Sequence, residues 1–361
     1  MVLMTDENLI TILHHYLLSF IFYLLSLNLY PIIHFRNQDF TMPLCKFKTV
    51  TGIICSEEAG EASYCYWHDD NKIKQETDLK QKLEKRAQTD EPMRYFKLKR
   101  TDLSDINLVN KGSYKGYELS HSDLYRANLS KSHLFAIDLS FSSLMKADLT
   151  DANLHSANLE HTNLLGVKLN GTKLEGVQWG EMVRQEWQAN HEEDPKRQLQ
   201  LYSEAEEIYR SIAREMRNQG MTSEITWFTY REMVTLRKKH PKFSVQRFIS
   251  KFIDLYCGYG EKPMRLVLVS SILVIGFAFL YTINGVVQNN EIIHLNNNMS
   301  LIENMHVLLS SLYFSTVTFT TLGYGDISPF GLTRFIAAME AFAGSFTMAL
   351  FVLVFVKRIT R

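Results

Sequence analysis

Cysteine is scarce in this chain, with four among 361 residues, too few for a disulfide scaffold to hold a protein of this length together. Charge of either sign is not in surplus: 39 Lys and Arg stand against 39 Asp and Glu. That balance excludes a basic nucleic-acid binder or an acidic nucleic-acid mimic as the function of the whole chain, and no nucleic-acid partner is expected. Also missing is any Ser/His/Asp pattern, phosphate-binding glycine loop or pair of carboxylates that would argue for an enzyme. What the chain does have is length for two or three domains and apolar residues concentrated towards its two ends.

Residues 9–33 contain no Asp, Glu, Lys or Arg, which is enough for one bilayer crossing of about 20 residues. No Lys or Arg precedes this stretch and no small-x-small site follows, so a cleaved signal peptide is not expected. Asp6 and Glu7 lie before it, whereas Arg36, Lys46 and Lys48 follow, an asymmetry that would leave the next segment cytosolic. Met42 opens MPLCKFKTV, which reads equally as a natural start, so residues 1–41 stand as an extra transmembrane helix or as the product of a start assigned too early. Residues 42–91 hold a small Cys/His subdomain followed by a charged helix. Cys45, Cys55, Cys65 and His68 supply three thiols and an imidazole, a set that suits tetrahedral Zn2+. Reduced, partly buried cysteines are the alternative.

The strongest periodicity occupies residues 92–180. Leu recurs every five residues from Leu119 to Leu174, and Trp179 continues the register. Two positions before each stands a small or modest apolar residue such as Ala127, Ile137, Ala147, Ala152 or Ala157, with Ser or Thr at most of the others. Leu98, Leu103 and Leu108 are one residue out of step, which implies an insertion around 111–116. A period of five is neither helical nor that of a flat strand, so each unit must bury its face by stacking on its neighbours. Nine acidic and ten basic residues between Tyr95 and Gly180 leave no acidic face.

A helical connector, residues 181–242, is expected next. Leu199, Tyr202, Ala205, Ile208, Tyr209, Ile212 and Met216 form one apolar stripe, and Ile225, Phe228, Met233 and Leu236 are core candidates of a second helix. Residues 243–263 comprise an amphipathic helix and a turn containing Gly258-Tyr259-Gly260. Val245, Phe248, Ile249, Phe252, Ile253 and Tyr256 share a face, which suits a membrane interface or a third core helix. Two charge-poor stretches, at about 264–286 and 334–357, are long enough to span a bilayer. Lys and Arg flank their outer ends while residues 284–300 carry neither, which places both termini of the pair on the cytosolic side and the thiols in a reducing compartment.

The blocks RANLS, KADLT, DANLH and SANLE resemble the pentapeptide repeat. That resemblance implies a right-handed, four-sided β-helix of about four coils, a rod of roughly 20 Å at ~4.8 Å per coil. Between the two spans, an apolar helix at about 305–320 runs into Thr321-Leu322-Gly323-Tyr324-Gly325-Asp326, which resembles the potassium-channel signature with Leu322 in place of the usual Val. Backbone carbonyls and the Thr321 hydroxyl can replace the water shell of K+, and Gly323 and Gly325 allow the backbone angles this requires. Glu340 within the second span either lines the cavity or hydrogen-bonds behind the filter. Gly344 resembles the inner-helix hinge, with close helix packing as the alternative. Taken whole, residues 92–361 resemble a pentapeptide-repeat potassium channel. The resemblance implies a multidomain, multi-pass membrane protein: β-helix, α-helical connector, and a two-transmembrane pore with a re-entrant helix. It further implies a homotetramer in a bacterial inner or plasma membrane, with K+ as the permeant ion and the N-terminal module serving assembly or gating through an unknown cytosolic ligand or protein. The rival is a membrane-tethered, partner-binding scaffold with a non-conducting pore. With Arg361 the last residue, any controlling module is expected on the N-terminal side.

Overall fold

In the computed structural model, residues 43–359 are described, apart from 50, 51, 53, 61, 62, 297 and 298; the expected crossing at 9–33 lies outside the described residues. The chain divides into one unit ending at Asp69 and another beginning at Asp70. In the first, a short antiparallel pairing joins Leu44 with Glu58 and Lys48 with Ile54.

In the second unit, the fivefold spacing becomes a four-sided, right-handed β-helix. Single-residue parallel bridges link Glu118 with Asp138, Asp123 with Ser143 and Asp148 with Lys168, each twenty residues apart, so four pentapeptides complete a coil. The composition of each pentapeptide follows from this geometry. Its Leu points inward and is fully buried, as at Leu124, Leu144, Leu149 and Leu154. Its N–H donates to the next coil, Leu124 to Ser143 and Leu129 to Asp148. The small residue three places after a Leu closes the corner by donating back to that Leu's carbonyl, as Ala127 does to Leu124 and Ala147 to Leu144. Where Asp or Asn precedes the Leu, its side chain accepts from the N–H two residues on, at 3.1 Å for Asp123 and Tyr125 and 3.0 Å for Asp148 and Thr150, which fixes the turn locally. Where Ser or Thr replaces the inward Ala, its hydroxyl donates to a carbonyl, as from Thr162 to Leu139 at 2.8 Å and from Thr172 to Leu149 at 2.7 Å, so the buried polar groups are satisfied.

The displaced register of Leu98–Leu108 has the expected cause. Lys97 pairs with Asp123 and Asp102 with Asn128, twenty-six residues apart instead of twenty, and the excess forms a loop in which residues 111–115 are exposed. Helix α1 (Leu79–Gln88) lies across the first coil: Lys80 donates to Ser104 at 3.0 Å, and Glu84 accepts the N–H of Asn107 at 2.8 Å. Lys74 is fully buried and donates to the Lys97 carbonyl at 2.6 Å.

The opposite end is covered by α2 (Arg184–His191), α3 (Pro195–Asn218) and α4 (Thr222–Lys238). Asp194 caps α3 by accepting from Lys196 and Arg197, with Pro195 at the first helical position. Gln185 donates to Asn163 at 2.6 Å, Gly171 to Glu215 at 3.0 Å and Gln219 to the Thr172 carbonyl at 2.6 Å. Two expectations for the connector core are corrected. Leu199 is 46% exposed, because it sits in the first turns of α3, before the buried stripe that starts at Leu201. On α4, Leu236 is exposed and Met233 only partly buried; Val234 takes the core position beside Ile225 and Phe228.

Beyond the connector come α5 (Val245–Cys257), a 3-10 turn (Gly258–Gly260), α6 (Pro263–Asn284), β1 (Val286–Gln288), β2 (Glu291–Ile293), α7 (Leu301–Phe319), β3 (Ile327–Ser328) and α8 (Thr333–Ile359). Helix α6 and residues 333–356 of α8 are long and apolar enough to cross a bilayer. The strands form a small antiparallel sheet in the order β2-β1-β3.

Truncating a β-helix layer should be costly and truncating the connector surface should not. We expect Leu144→Ala to destabilise the protein by about 2–5 kcal/mol and Leu199→Ala by less than about 1 kcal/mol, measured by denaturant unfolding followed through circular dichroism. Equal effects would place Leu144 outside the core.

Candidate functional site: a re-entrant loop between two bilayer-length helices

Helix α7 starts at a capping box: the Ser300 hydroxyl accepts from the Glu303 N–H while the Glu303 carboxylate accepts from the Ser300 N–H. That cap starts the helix at 301, four residues before the apolar run suggests. Its other end delivers Thr320 to the signature residues. There the N–H groups of Thr321 and Leu322 still reach back, to the carbonyls of Thr318 and Val317 at 3.0 Å. From that point the chain leaves regular structure, with left-handed φ at Thr321 (57°), Gly323 (58°) and Gly325 (82°). Residues 321–326 are all exposed, and a Cβ at Gly323 or Gly325 would meet nothing within 4 Å. Dihedral freedom, not space within the chain, is therefore what requires glycine there. Beyond Asp326 the chain enters β3, whose Ser328 pairs with Val287 and Ile327 with Gln288. The far end of the loop is thus tied to the end of α6, a tether no sequence period announced.

Two residues of α8 fix the near side. Glu340 is fully buried. It accepts from the Tyr281 hydroxyl at 2.6 Å and lies 2.5 Å from the Ser315 hydroxyl, which also reaches the Val274 carbonyl at 2.8 Å. One carboxyl thereby joins α6, α7 and α8 behind the loop. Gly344 supplies close packing: a Cβ there would stand 1.9 Å from the Phe319 carbonyl oxygen. Tyr281, Val286, Phe314, Ile327 and Ala337 close the core around this arrangement.

A second polar cluster joins the connector to the spans, and the sequence reading missed it. Asp254 of α5 accepts from Tyr230 at 2.9 Å and Arg237 at 2.6 Å, both on α4, and from Arg265 of α6 at 3.1 Å. Arg237 also donates to the Tyr259 hydroxyl in the intervening turn at 2.8 Å. Burial pushes the Asp254 carboxyl up, but Arg237 and Tyr230 outweigh it and hold its pKa below the ordinary aspartate value. Tyr256 donates to Thr347 of α8 and packs with Cys257, Leu266 and Val354. Val245, Phe248, Ile249 and Phe252 of α5 are exposed, so that face is not core of the connector. Met233 and Leu236 instead line an open apolar cavity of about 610 Å³ together with Ile249, Ile253 and Leu353.

In the N-terminal unit, the structure brings the four expected ligand atoms together. The sulfurs of Cys45, Cys55 and Cys65 and a ring nitrogen of His68 all lie within 4.8 Å of one another. Cys257, on α5, is not part of that group. Burial pushes the Cys65 thiol up to about 12 and raises Cys55 as well.

Comparison with known proteins follows these two regions. Residues 267–361 match the ion-channel family, and residues 142–177 match pentapeptide repeats in eight copies. Protein LctB of Bacillus caldotenax is 35% identical over 72 residues, 20% of this chain and 53% of LctB; the chain thus spans about half the length of that curated relative. Among solved structures, a pentapeptide repeat protein from Nostoc Pcc 7120 is 28% identical, covering 28% of this chain and 94% of its own, with a TM-score of 0.19. Another from Cyanothece 51142 is 35% identical, covering 23% and 60%, with a TM-score of 0.11.

Asp254 gives two expectations. Because its folded pKa is depressed, its contribution is present above the unfolded aspartate value near pH ~4 and is lost as pH falls through the lower folded value. Asp254→Asn should cost about 3 kcal/mol at pH 7, chiefly because the largely buried Arg237 guanidinium loses its carboxylate, and should flatten the loss of stability below about pH 4. Thermal melts of the detergent-solubilised protein from pH 3 to 8 measure both; parallel wild-type and variant profiles would refute them.

Proposed function

Because the chain joins a pentapeptide-repeat β-helix to a C-terminal ion-channel domain, we propose that it is a potassium-selective channel assembled as a homotetramer, with its soluble segments and C-terminus on the cytosolic side. The observation that carries this reading is the loop at 321–326, set between two bilayer-length helices and reached through the nineteen-residue helix α7. Alternating left-handed glycines turn successive carbonyls to one side of the strand, as a ring of oxygens around a dehydrated K+ requires. The C-terminal end of α7 carries its partial negative charge at Thr320, where a cation is favoured. Irregular backbone exposed at membrane depth is tolerated only when protein or a water-filled path encloses it, and in one chain residues 321–326 are exposed. Four copies arranged about a common axis would provide that enclosure. Lys251 and Lys262 before the first span and Arg265 in its first turn, with no Lys or Arg in 284–300, support the orientation.

Asp254 gives the N-terminal module a route to the pore. Its contacts run from α4, which packs on the helices covering the β-helix, through α5 to the base of α6. A ligand acting on the β-helix could bias the pore only if it binds the two pore states unequally, and this cluster is where such a bias would cross.

Purified protein in liposomes should pass K+ at least tenfold faster than Na+, and Gly323→Ala should abolish the flux because a Cβ opposes the left-handed φ. Undiminished K+-selective flux in that variant would overturn the filter assignment, and absence of flux from well-assembled wild type would favour a scaffold. In single-channel recordings, Asp254→Asn should change open probability while the mass of the assembly stays that of four chains. An unchanged open probability would reduce the N-terminal module to an assembly element.

A further inference from the structure

We propose that Cys45, Cys55, Cys65 and His68 hold one structural zinc ion that serves as the core of the N-terminal unit. Four ligand atoms around Zn2+, with bonds of about 2.3 Å to sulfur and 2.0–2.1 Å to nitrogen, stand roughly 3.5–3.8 Å apart along the edges of a tetrahedron. The Cys55 and Cys65 sulfurs are 3.9 Å apart, Cys45 Sγ and His68 Nδ1 3.8 Å, and Cys65 Sγ and His68 Nδ1 3.1 Å, with every remaining pair inside 4.8 Å. This is the spacing of ligands sharing an ion, and a disulfide bond of about 2.05 Å is far shorter. Three sulfurs also leave one thiol over however two are paired.

The local chain is built to present these atoms. The pairings of Leu44 with Glu58 and Lys48 with Ile54 set Cys45 opposite Glu57 and Cys55 opposite Phe47, so the two cysteines stand two positions apart on one face of the hairpin. Cys65 and His68 come from a single turn in which the N–H groups of His68 and Asp69 both donate to the Cys65 carbonyl, at 3.1 and 3.0 Å. The Cys65 N–H donates to Cys45 Sγ at 3.1 Å, a contact that orients the sulfur. Phe47 stacks on the His68 ring with centroids 4.0 Å apart and planes 8° from parallel, which holds the imidazole in place.

Size supplies the second argument. Among the described residues of this unit, the buried apolar ones are Cys45, Ala59, Cys65 and Trp67. A core of that extent cannot offset the conformational entropy of ordering a segment of this length, and small units without a core are commonly closed by a metal. With all four positions taken by protein atoms, the ion would be structural and would have no open site for chemistry.

This inference rests on no residue of the pore, so it stands or falls apart from ion conduction. Elemental analysis of the full-length protein purified in detergent should find one zinc per chain. The double variant Cys65→Ser, His68→Ala should lose it, while Cys257→Ser should keep it. Growth in Co2+ should give the visible absorption of tetrahedral cobalt with a thiolate charge-transfer band in the near ultraviolet. If the double variant does not accumulate, the metal content and cobalt spectrum of the wild type still decide. A metal-free folded protein, iron in place of zinc, or zinc retained by the double variant would overturn the proposal.

Discussion

A backbone carbonyl or amide taken from water must find a partner, and this one requirement organises the β-helix and sets apart the loop between the two bilayer-length helices. Inside the β-helix each coil meets it for the next, through parallel bridges twenty residues apart. At the two ends there is no further coil, and side chains take over. Lys74 donates to the Lys97 carbonyl and Glu84 accepts from Asn107 at one end; Glu215 accepts from Gly171 and Gln219 donates to Thr172 at the other. The helices and adjoining segments that carry these residues do for a solenoid what edge protection does for a sheet. The segment 321–326 is the exception: the N–H groups of Thr321 and Leu322 reach back to α7, but no further coil or strand among the described residues stacks on its exposed carbonyls, and a cation and neighbouring copies are what our reading supplies.

Seen this way, the polar residues of the spans divide into two kinds of work. Glu340, Tyr281 and Ser315 fasten three helices to one another behind the loop, and Gly344 lets α8 approach the end of α7 without an intervening side chain. These groups favour a loop held in one shape. Asp254 works at the other end of α6, where it holds together elements that belong to different parts of the chain. One cluster gives rigidity and the other gives connection, and they lie at opposite ends of the same helix.

Repeated chemistry made the β-helix legible, because unit after unit carries its own Leu, and most add a small residue and a turn-forming Asp or Asn. The loop at 321–326 stood out through its paired glycines, Gly323 and Gly325, both left-handed, a conformation that glycine adopts most readily. Interactions made once were harder to read. The sheet formed by β1, β2 and β3 has strands of two or three residues, too short to leave a period. Asp254, one acid in an amphipathic helix, looks like any solvated residue until Tyr230, Arg237 and Arg265 are seen around it. Leu199 misled for the converse reason: its spacing fits the buried stripe, but the stripe begins where the neighbouring helices do. For Glu340 and Gly344 the residue type announced importance without choosing between two roles, and only the position of Ser315, Tyr281 and Phe319 distinguishes them.

The twenty-residue coil also gives the β-helix a phase. Each pentapeptide advances the chain by one side of a square, about a quarter turn, and four return it to the same azimuth one strand spacing further along. The connector is keyed to particular sides of the last coils by Gln185, Glu215 and Gln219. Loss or gain of four pentapeptides would therefore lengthen or shorten the rod by roughly 5 Å and leave the connector facing the same way, whereas loss of one would swing it to an adjacent side. The rod acts as an indexed shaft, in which length is free to vary by whole coils and direction is not.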